Sequence, residues 1–185
     1  RLKSLGSVGH DTLAASYAGF LAADLRIVHG DGGGVGDALQ AAALQLDSPD
    51  PAHRALAKFQ LCDAYSMAGQ YRHSQPLCAE ADAAFGALRD DWNQAQAKND
   101  EGNNAYGLGR YAEAGGFYED ARALYRKAGD HAQELMVGDN LAQVYLKQGK
   151  PEQALALSRA SLANERAAGR QSDALVSQYD IARAL

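Results

Sequence analysis

The chain has 185 residues and a formal net charge of -5, with 23 acidic against 18 basic side chains. This balance disfavours a nucleic-acid binder, which needs clustered Lys and Arg against phosphate, and the 46% of hydrophobic residues excludes a disordered composition. Ala is abundant whereas Val, Ile and Thr are scarce, which favours helices over strands, and no apolar run reaches the roughly 20 residues of a membrane span.

Residues 12–50 have the pattern of a degenerate leading repeat. Apolar residues at helical spacing predict its first helix: Leu13, Tyr17, Leu21, Leu25 and Val28. The glycine-rich stretch 30–36 follows, and we expect a flexible loop there rather than a phosphate cradle, because no Lys-Ser/Thr pair follows it. Asp37 is the expected N-cap of a second helix.

Two kinds of landmark then recur every 40 residues. They are the glycines Gly69, Gly109 and Gly149 and the aspartates Asp50, Asp90 and Asp130. Each Asp is predicted to cap a first helix, where its carboxylate accepts from free backbone N–H groups. Each Gly is predicted to supply the positive φ of a tight turn. The second helices are expected to begin at Tyr71, Tyr111 and Pro151 and to end near Leu88, Ala128 and Ala168.

The pattern therefore predicts antiparallel helix hairpins in tandem. Their expected bounds are 51–89, 90–129 and 130–169, followed by a final or truncated helix at 170–185. One hairpin cannot bury its own apolar face, so neighbouring hairpins must stack.

These hairpins resemble the tetratricopeptide repeat. The third unit carries its pattern of small, aromatic and turn residues at Leu141, Ala142, Tyr145, Gly149, Pro151, Ala154 and Ser161. The second unit departs from the pattern with Ala105 at the first aromatic position, and the first departs with Ser74 and Cys78. The 40-residue period is similar to the long-helix subtype of kinesin light chains and bacterial signalling regulators. The resemblance implies an all-α fold, a right-handed α-α superhelix of stacked hairpins in a single domain over 1–185.

The two cysteines, Cys62 and Cys78, make neither a disulfide framework nor a zinc site. The expectation is two small buried apolar side chains. A disulfide is the alternative, on the condition that the compartment is oxidising and the two side chains meet. We find no catalytic constellation and no spacing typical of metal ligands, so no enzyme activity, metal or cofactor is expected of these residues.

The resemblance also implies a binding groove, because the first helix of each tetratricopeptide hairpin lines the concave face. By motif position, the groove residues are Phe59, Gln60, Asp63, Asn99, Asp100, Asn103, Tyr106, Asp139, Asn140, Gln143, Tyr179, Asp180 and Arg183. Side-chain amides both donate and accept, so a ladder of them suits the backbone of an extended peptide. The plainer alternative is that these Asn residues only face water. The aspartates favour a ligand of net positive charge.

The function implied by the resemblance is a non-catalytic protein- or peptide-interaction module. Such arrays occur in the sensory or regulatory regions of bacterial signalling proteins, for example GGDEF-type diguanylate cyclases. A stand-alone scaffold or assembly protein is the alternative. The chain opens at Arg1, and we expect it to be part of a longer protein. Its expected partner is a protein or extended peptide, with no nucleic acid and no membrane contact, and its expected location is the cytoplasm, with the periplasm as the alternative.

Overall fold

The computed structural model describes residues 2–167, and this part of the chain is helical with no strand. Its helices are α1 Leu2–Val28, α2 Gly34–Leu46, α3 Pro51–Met67, α4 Tyr71–Leu88, α5 Asp91–Gly107, α6 Tyr111–Ala128, α7 His131–Lys147 and α8 Pro151–Ala167. Over the described range, none of them has both the length and the apolar character that crossing a membrane requires.

Consecutive helices pair as antiparallel hairpins: α1 with α2, α3 with α4, α5 with α6, and α7 with α8. The chain divides between Asp90 and Asp91 into two compact units. Unit 1 holds α1–α4, where α2 also packs on α3 and α1 contacts α3; unit 2 holds α5–α8, where α6 also packs on α7. The predicted all-α fold of stacked helix hairpins is confirmed.

The recurring glycines lie in the turns between the paired helices, as predicted. Gly69, Gly109 and Gly149 have φ angles of +70°, +75° and +70°. These values fall in the left-handed region, where a side chain costs energy and glycine does not. The second helices begin two residues later, so the predicted starts of α4, α6 and α8 are confirmed.

Aspartates cap first helices at the predicted places. The Asp50 carboxylate accepts a hydrogen bond from the Ala52 N–H at 2.9 Å at the start of α3. The Asp130 carboxylate accepts one from the Gln133 N–H at 3.1 Å at the start of α7. Each bond satisfies an N–H that has no partner inside its helix. Asp90 directly precedes α5, and its capping role stays a prediction.

The leading hairpin differs from the prediction at its turn. α2 begins at Gly34 with Gly33 as its N-cap, so Asp37 is not the cap, and most of the expected loop at 30–36 is a tight turn and a helix start. A Cβ built on Gly34 would lie 2.7 Å from the carbonyl oxygen of Ala23. The glycine therefore serves a close approach of α2 to α1.

The apolar stripe predicted for α1 is mostly exposed. Leu21, Leu25 and Val28 have exposed fractions of 70%, 63% and 68%. The buried face of α1 is instead made by Ser16, Phe20, Ala23 and Ile27. The Ser16 hydroxyl donates to the Ala41 carbonyl at 2.8 Å, which lets a polar residue occupy the interior.

A disulfide joins the two helices of the second hairpin, so the expectation of two unbonded cysteines is wrong. Cys62 on α3 and Cys78 on α4 are bonded, with their Cα atoms 5.1 Å apart, and both are fully buried. The helix pairing brings residues 16 positions apart in sequence into contact. Forty residues later the same two positions hold Gly102 and Tyr118.

Candidate functional site

Three of the predicted amides, those of Asn99, Asn103 and Asn140, lie on α5 and α7 in unit 2 and form hydrogen bonds there. The Asn140 amide donates to Oδ1 of Asn99 at 3.0 Å, which links the first helices of successive hairpins. The Asn103 amide donates to the Asp100 carboxylate at 3.0 Å. The hydroxyl of Tyr118, on α6, donates to Oδ1 of Asn103 at 2.8 Å. The Asn99 amide nitrogen lies 3.5 Å from the same Asp100 oxygen, so the amides form a connected polar strip.

Burial keeps the Tyr118 hydroxyl of this network protonated. Asp100 has an exposed fraction of only 6%. Burial raises the pKa of Tyr118 far above its usual range, and the nearby Asp100 charge raises it further. The hydroxyl therefore keeps its proton and remains a donor. A primary amide has two donor hydrogens and two acceptor lone pairs, so Asn99 and Asn140 keep hydrogen-bonding capacity beyond their mutual bond.

The two aromatic residues predicted for the groove pack within their own hairpins. Phe59 meets Phe85 edge-to-face, with ring centroids 6.3 Å apart. Tyr106 meets Tyr111 in the same way at 5.3 Å. Both predicted residues are half-buried, so their rings stabilise the hairpins and expose only part of their area.

The other predicted residues are divided among three places. Asp139 and Gln143 are half-buried on α7. Gln60 and Asp63 lie on α3 in unit 1, where they line a pocket. Tyr179, Asp180 and Arg183 lie outside the described residues.

This pocket lies between α1 and α3, the first helices of the two hairpins of unit 1. Its volume is about 160 Å³. It is lined by Tyr17, Phe20, Leu21, Asp24, Gln60 and Asp63. Phe20 is buried, while Tyr17 and Leu21 are exposed. The pocket thus combines an apolar wall with two carboxylates and one amide.

The carboxylates of the pocket have perturbed pKa values. Burial raises the pKa of Asp63 to about 6, and the charge of Asp24 contributes to the rise. Burial also raises the pKa of Asp24. Among the residues that the structure describes, neither carboxylate forms an ion pair. Arg26, on the same helix as Asp24, is bound by Asp31 and Asp37.

Sequence reasoning missed Asp24, because it concentrated on the apolar stripe of α1. Asp24 follows Leu21 by three residues and Tyr17 by seven, which are the spacings of one helix face. A carboxylate on the same helix face as an apolar stripe is the sequence signal that could have identified this pocket.

The comparisons with known proteins agree with this fold. Residues 93–167 match the family model of the tetratricopeptide repeat. The match covers nearly all of α5–α8 and confirms the resemblance for that part of the chain. Among the curated proteins compared, none matches this chain.

Solved structures share the tetratricopeptide-like fold at low sequence identity. A kinesin light chain from Podosopora anserina with nearly identical repeats is 21% identical with a TM-score of 0.74, covering 91% of this chain and 84% of its own. BtubC from P. vanneervenii is 17% identical with a TM-score of 0.71, covering 100% and 85%.

A third structure is the Rap conjugation gene regulator of plasmid pLS20 in complex with the Phr* peptide. It is 21% identical with a TM-score of 0.70, and the alignment covers 86% of this chain. The chain spans only 44% of the length of that regulator. All three similarities concern the fold alone.

Proposed function

We propose that the chain is a non-catalytic module that binds a protein or an extended peptide through the faces of its first helices. The observation that carries this proposal is the bond of 3.0 Å between Asn99 and Asn140. It places amides of successive hairpins side by side, with further donors and acceptors available to a peptide backbone.

Two further observations support a polypeptide partner. The Rap regulator, which has a similar fold, was solved with a peptide. The net charge of -5 disfavours phosphate-rich ligands, so a protein or peptide is proposed rather than a nucleic acid.

For the biological setting, we propose the regulatory region of a larger bacterial signalling protein, such as a GGDEF-type diguanylate cyclase. The Ala-rich sequence and the "AGD" and "AAGR" linkers resemble such arrays. The alternative is a stand-alone scaffold or assembly protein. The sequence of the complete gene distinguishes the two: an output domain encoded in the same frame supports the first, and its absence supports the second.

The cellular location is also a proposal, with the cytoplasm and the periplasm as the two candidates. Disulfides persist in oxidising compartments and are reduced in the cytosol of most organisms. The Cys62–Cys78 bond therefore makes the thiol state of the native protein informative. Cells are quenched in acid, and the protein is then unfolded and alkylated without reductant: protected cysteines support the periplasm, and two alkylated cysteines support the cytoplasm.

The binding proposal is tested with a peptide array probed by wild type, Asn140→Ala and Gln153→Ala. Asn140 belongs to the polar strip, whereas Gln153 is an exposed amide on α8 that is not part of it. We expect peptides that bind wild type to bind Gln153→Ala equally and Asn140→Ala about tenfold more weakly, as for one lost hydrogen bond. Equal binding by all three proteins would show that the strip is not the site.

A further inference from the structure

We propose that the pocket between α1 and α3 holds one basic side chain, Arg or Lys, of the bound partner segment. This rests on the proposed function, since the side chain is taken to belong to the segment that the first helices bind. The pocket would then act as a specificity subsite of unit 1.

The shape of the pocket suits such a side chain. Basic side chains have an apolar stem and a cationic head. The pocket offers the buried ring of Phe20 and the exposed Tyr17 and Leu21 to the stem, and the carboxylates of Asp24 and Asp63 to the head. Its volume of about 160 Å³ is close to that of a cavity that admits benzene, about 150 Å³. It therefore has room for one side-chain head with part of its stem.

The charge of the pocket favours a cation. Two carboxylates share a partly buried site, and within the described part of the chain neither of them is in an ion pair. Like charges in such a site repel each other, and a cation between them removes the repulsion. A guanidinium also donates in a planar fork that matches carboxylate oxygens, and the Gln60 carbonyl can accept a further bond.

An organic cation fits better than a metal ion. Among the described residues, no group of three His, Cys, Asp or Glu side chains is placed to hold a metal. A site with two carboxylates against an apolar wall supplies too few oxygens for Ca²⁺, which takes six to eight. The apolar wall instead favours a ligand that has carbon to bury.

The test uses N-acetyl-arginine methylamide as the probe and its citrulline analogue, which has the same shape without the charge, as the neutral control. Each is titrated into isotopically labelled protein at low salt and neutral pH, and amide chemical shifts are followed. We expect the arginine probe to shift the signals of residues 17–24 and 60–63. The citrulline probe should bind at least about fivefold more weakly than the arginine probe.

Two variants and a matched control complete the design. Asp63→Asn and Asp24→Asn should each weaken the arginine probe about fivefold or more. Asp47→Asn makes the same charge change at an exposed site in unit 1 and should leave binding unchanged. Thermal unfolding shows whether each variant is folded. Equal binding of both probes, or no effect of either pocket variant, would overturn the proposal.

The outcomes also separate this inference from the proposed function. If peptides bind through α5 and α7 but the arginine probe does not shift the signals of the pocket residues, the proposed function stands and the subsite fails. If the arginine probe binds in the pocket but no partner peptide depends on the first helices, the subsite stands and the proposed function fails.

Discussion

Gly102 and Tyr118 show how one pair of facing positions decides the packing of a hairpin. A Cβ built on Gly102 would lie 2.5 Å from Cε1 of Tyr118, which is closer than real contacts allow. The glycine therefore makes room for the buried tyrosine ring. The same positions hold the Cys62–Cys78 disulfide in the preceding hairpin. Different residue pairs thus fill one space in the repeat.

Gly102→Ala should destabilise the protein by about 1–3 kcal/mol, because it overpacks this space. Tyr118→Ser removes the obstructing ring, so the double variant should lose less than the sum of the two single losses, by about 1 kcal/mol or more. Urea unfolding followed by far-UV circular dichroism measures all three free energies of unfolding.

Gly116→Ala is the matched control for this prediction. Gly116 lies inside α6, where an added Cβ meets nothing within 4 Å. Alanine favours a helix interior over glycine by about 1 kcal/mol, so this variant should be more stable than wild type. A neutral Gly102→Ala, or strictly additive losses at 102 and 118, would contradict the packing argument.

A second prediction at the residue scale concerns Asp63. Burial and the Asp24 charge raise its pKa from 3.8 to about 6, so the folded protein holds this proton more tightly than the unfolded chain. The stability from this group is fully present below about pH 3.8 and is lost as the pH rises through about 6. Asp63→Asn should therefore stabilise the protein at neutral pH by about 2 kcal/mol.

Urea midpoints measured between about pH 4 and pH 7 test this sign. The difference between Asp63→Asn and wild type should grow as the pH rises, whereas Asp47→Asn should follow wild type throughout. A difference that shrinks with rising pH would mean that the Asp63 carboxylate is stabilised in the fold, the reverse of the argument.

At the scale of the elements, the disulfide should contribute strongly to the hairpin of α3 and α4. It closes a loop with a sequence separation of 16, for which the chain-entropy model gives about 3 kcal/mol. Reducing agent should therefore lower the free energy of unfolding by about that amount. Far-UV circular dichroism follows the helices, while the fluorescence of the single tryptophan, Trp92 on α5, reports on unit 2.

The double variant Cys62→Ala with Cys78→Ser is the control, because it copies the residues at the equivalent positions of the last hairpin, Ala142 and Ser158. Its stability should not respond to reducing agent and should lie near that of reduced wild type. Two thiols that react with an alkylating agent in unreduced, unfolded protein would show that the bond is absent.

The bounds of α3, α5 and α7 could be predicted because each is fixed by a local signal. An aspartate directly precedes each of these helices and a glycine with positive φ follows it, and both signals act within a few residues of the chain. The leading hairpin lacks this regularity. Its glycine-rich stretch is typical of a loop, yet Gly34 opens α2 because α1 comes close to it. That contact depends on tertiary packing, which no local signal reports.

At the scale of the whole molecule, the sequence predicts on which helix face each residue of the candidate site lies, but not which residues it contacts. The repeat period identified the first helices, and so Gln60, Asp63, Asn99 and Asn140 were found. The two carboxylates that share the pocket, Asp63 and Asp24, lie on different helices and are far apart in sequence. Periodicity assigns a residue to a face but says nothing of its neighbours across the fold.

The charge of the whole molecule leads to the last prediction. With a net charge of -5 and a pocket that carries two carboxylates, the protein should attract a basic peptide over a distance that salt shortens. For a basic peptide selected on the array, we expect the association rate constant to fall about tenfold between about 0.05 and 0.5 M salt, with a smaller change in dissociation. Stopped-flow fluorescence with a labelled peptide measures both constants.

The same peptide with citrulline in place of arginine should associate more slowly at low salt and lose most of the salt dependence. If the dissociation rate instead carried the salt effect, or if both peptides associated equally fast at low salt, long-range attraction by the acidic surface would not be the cause of binding.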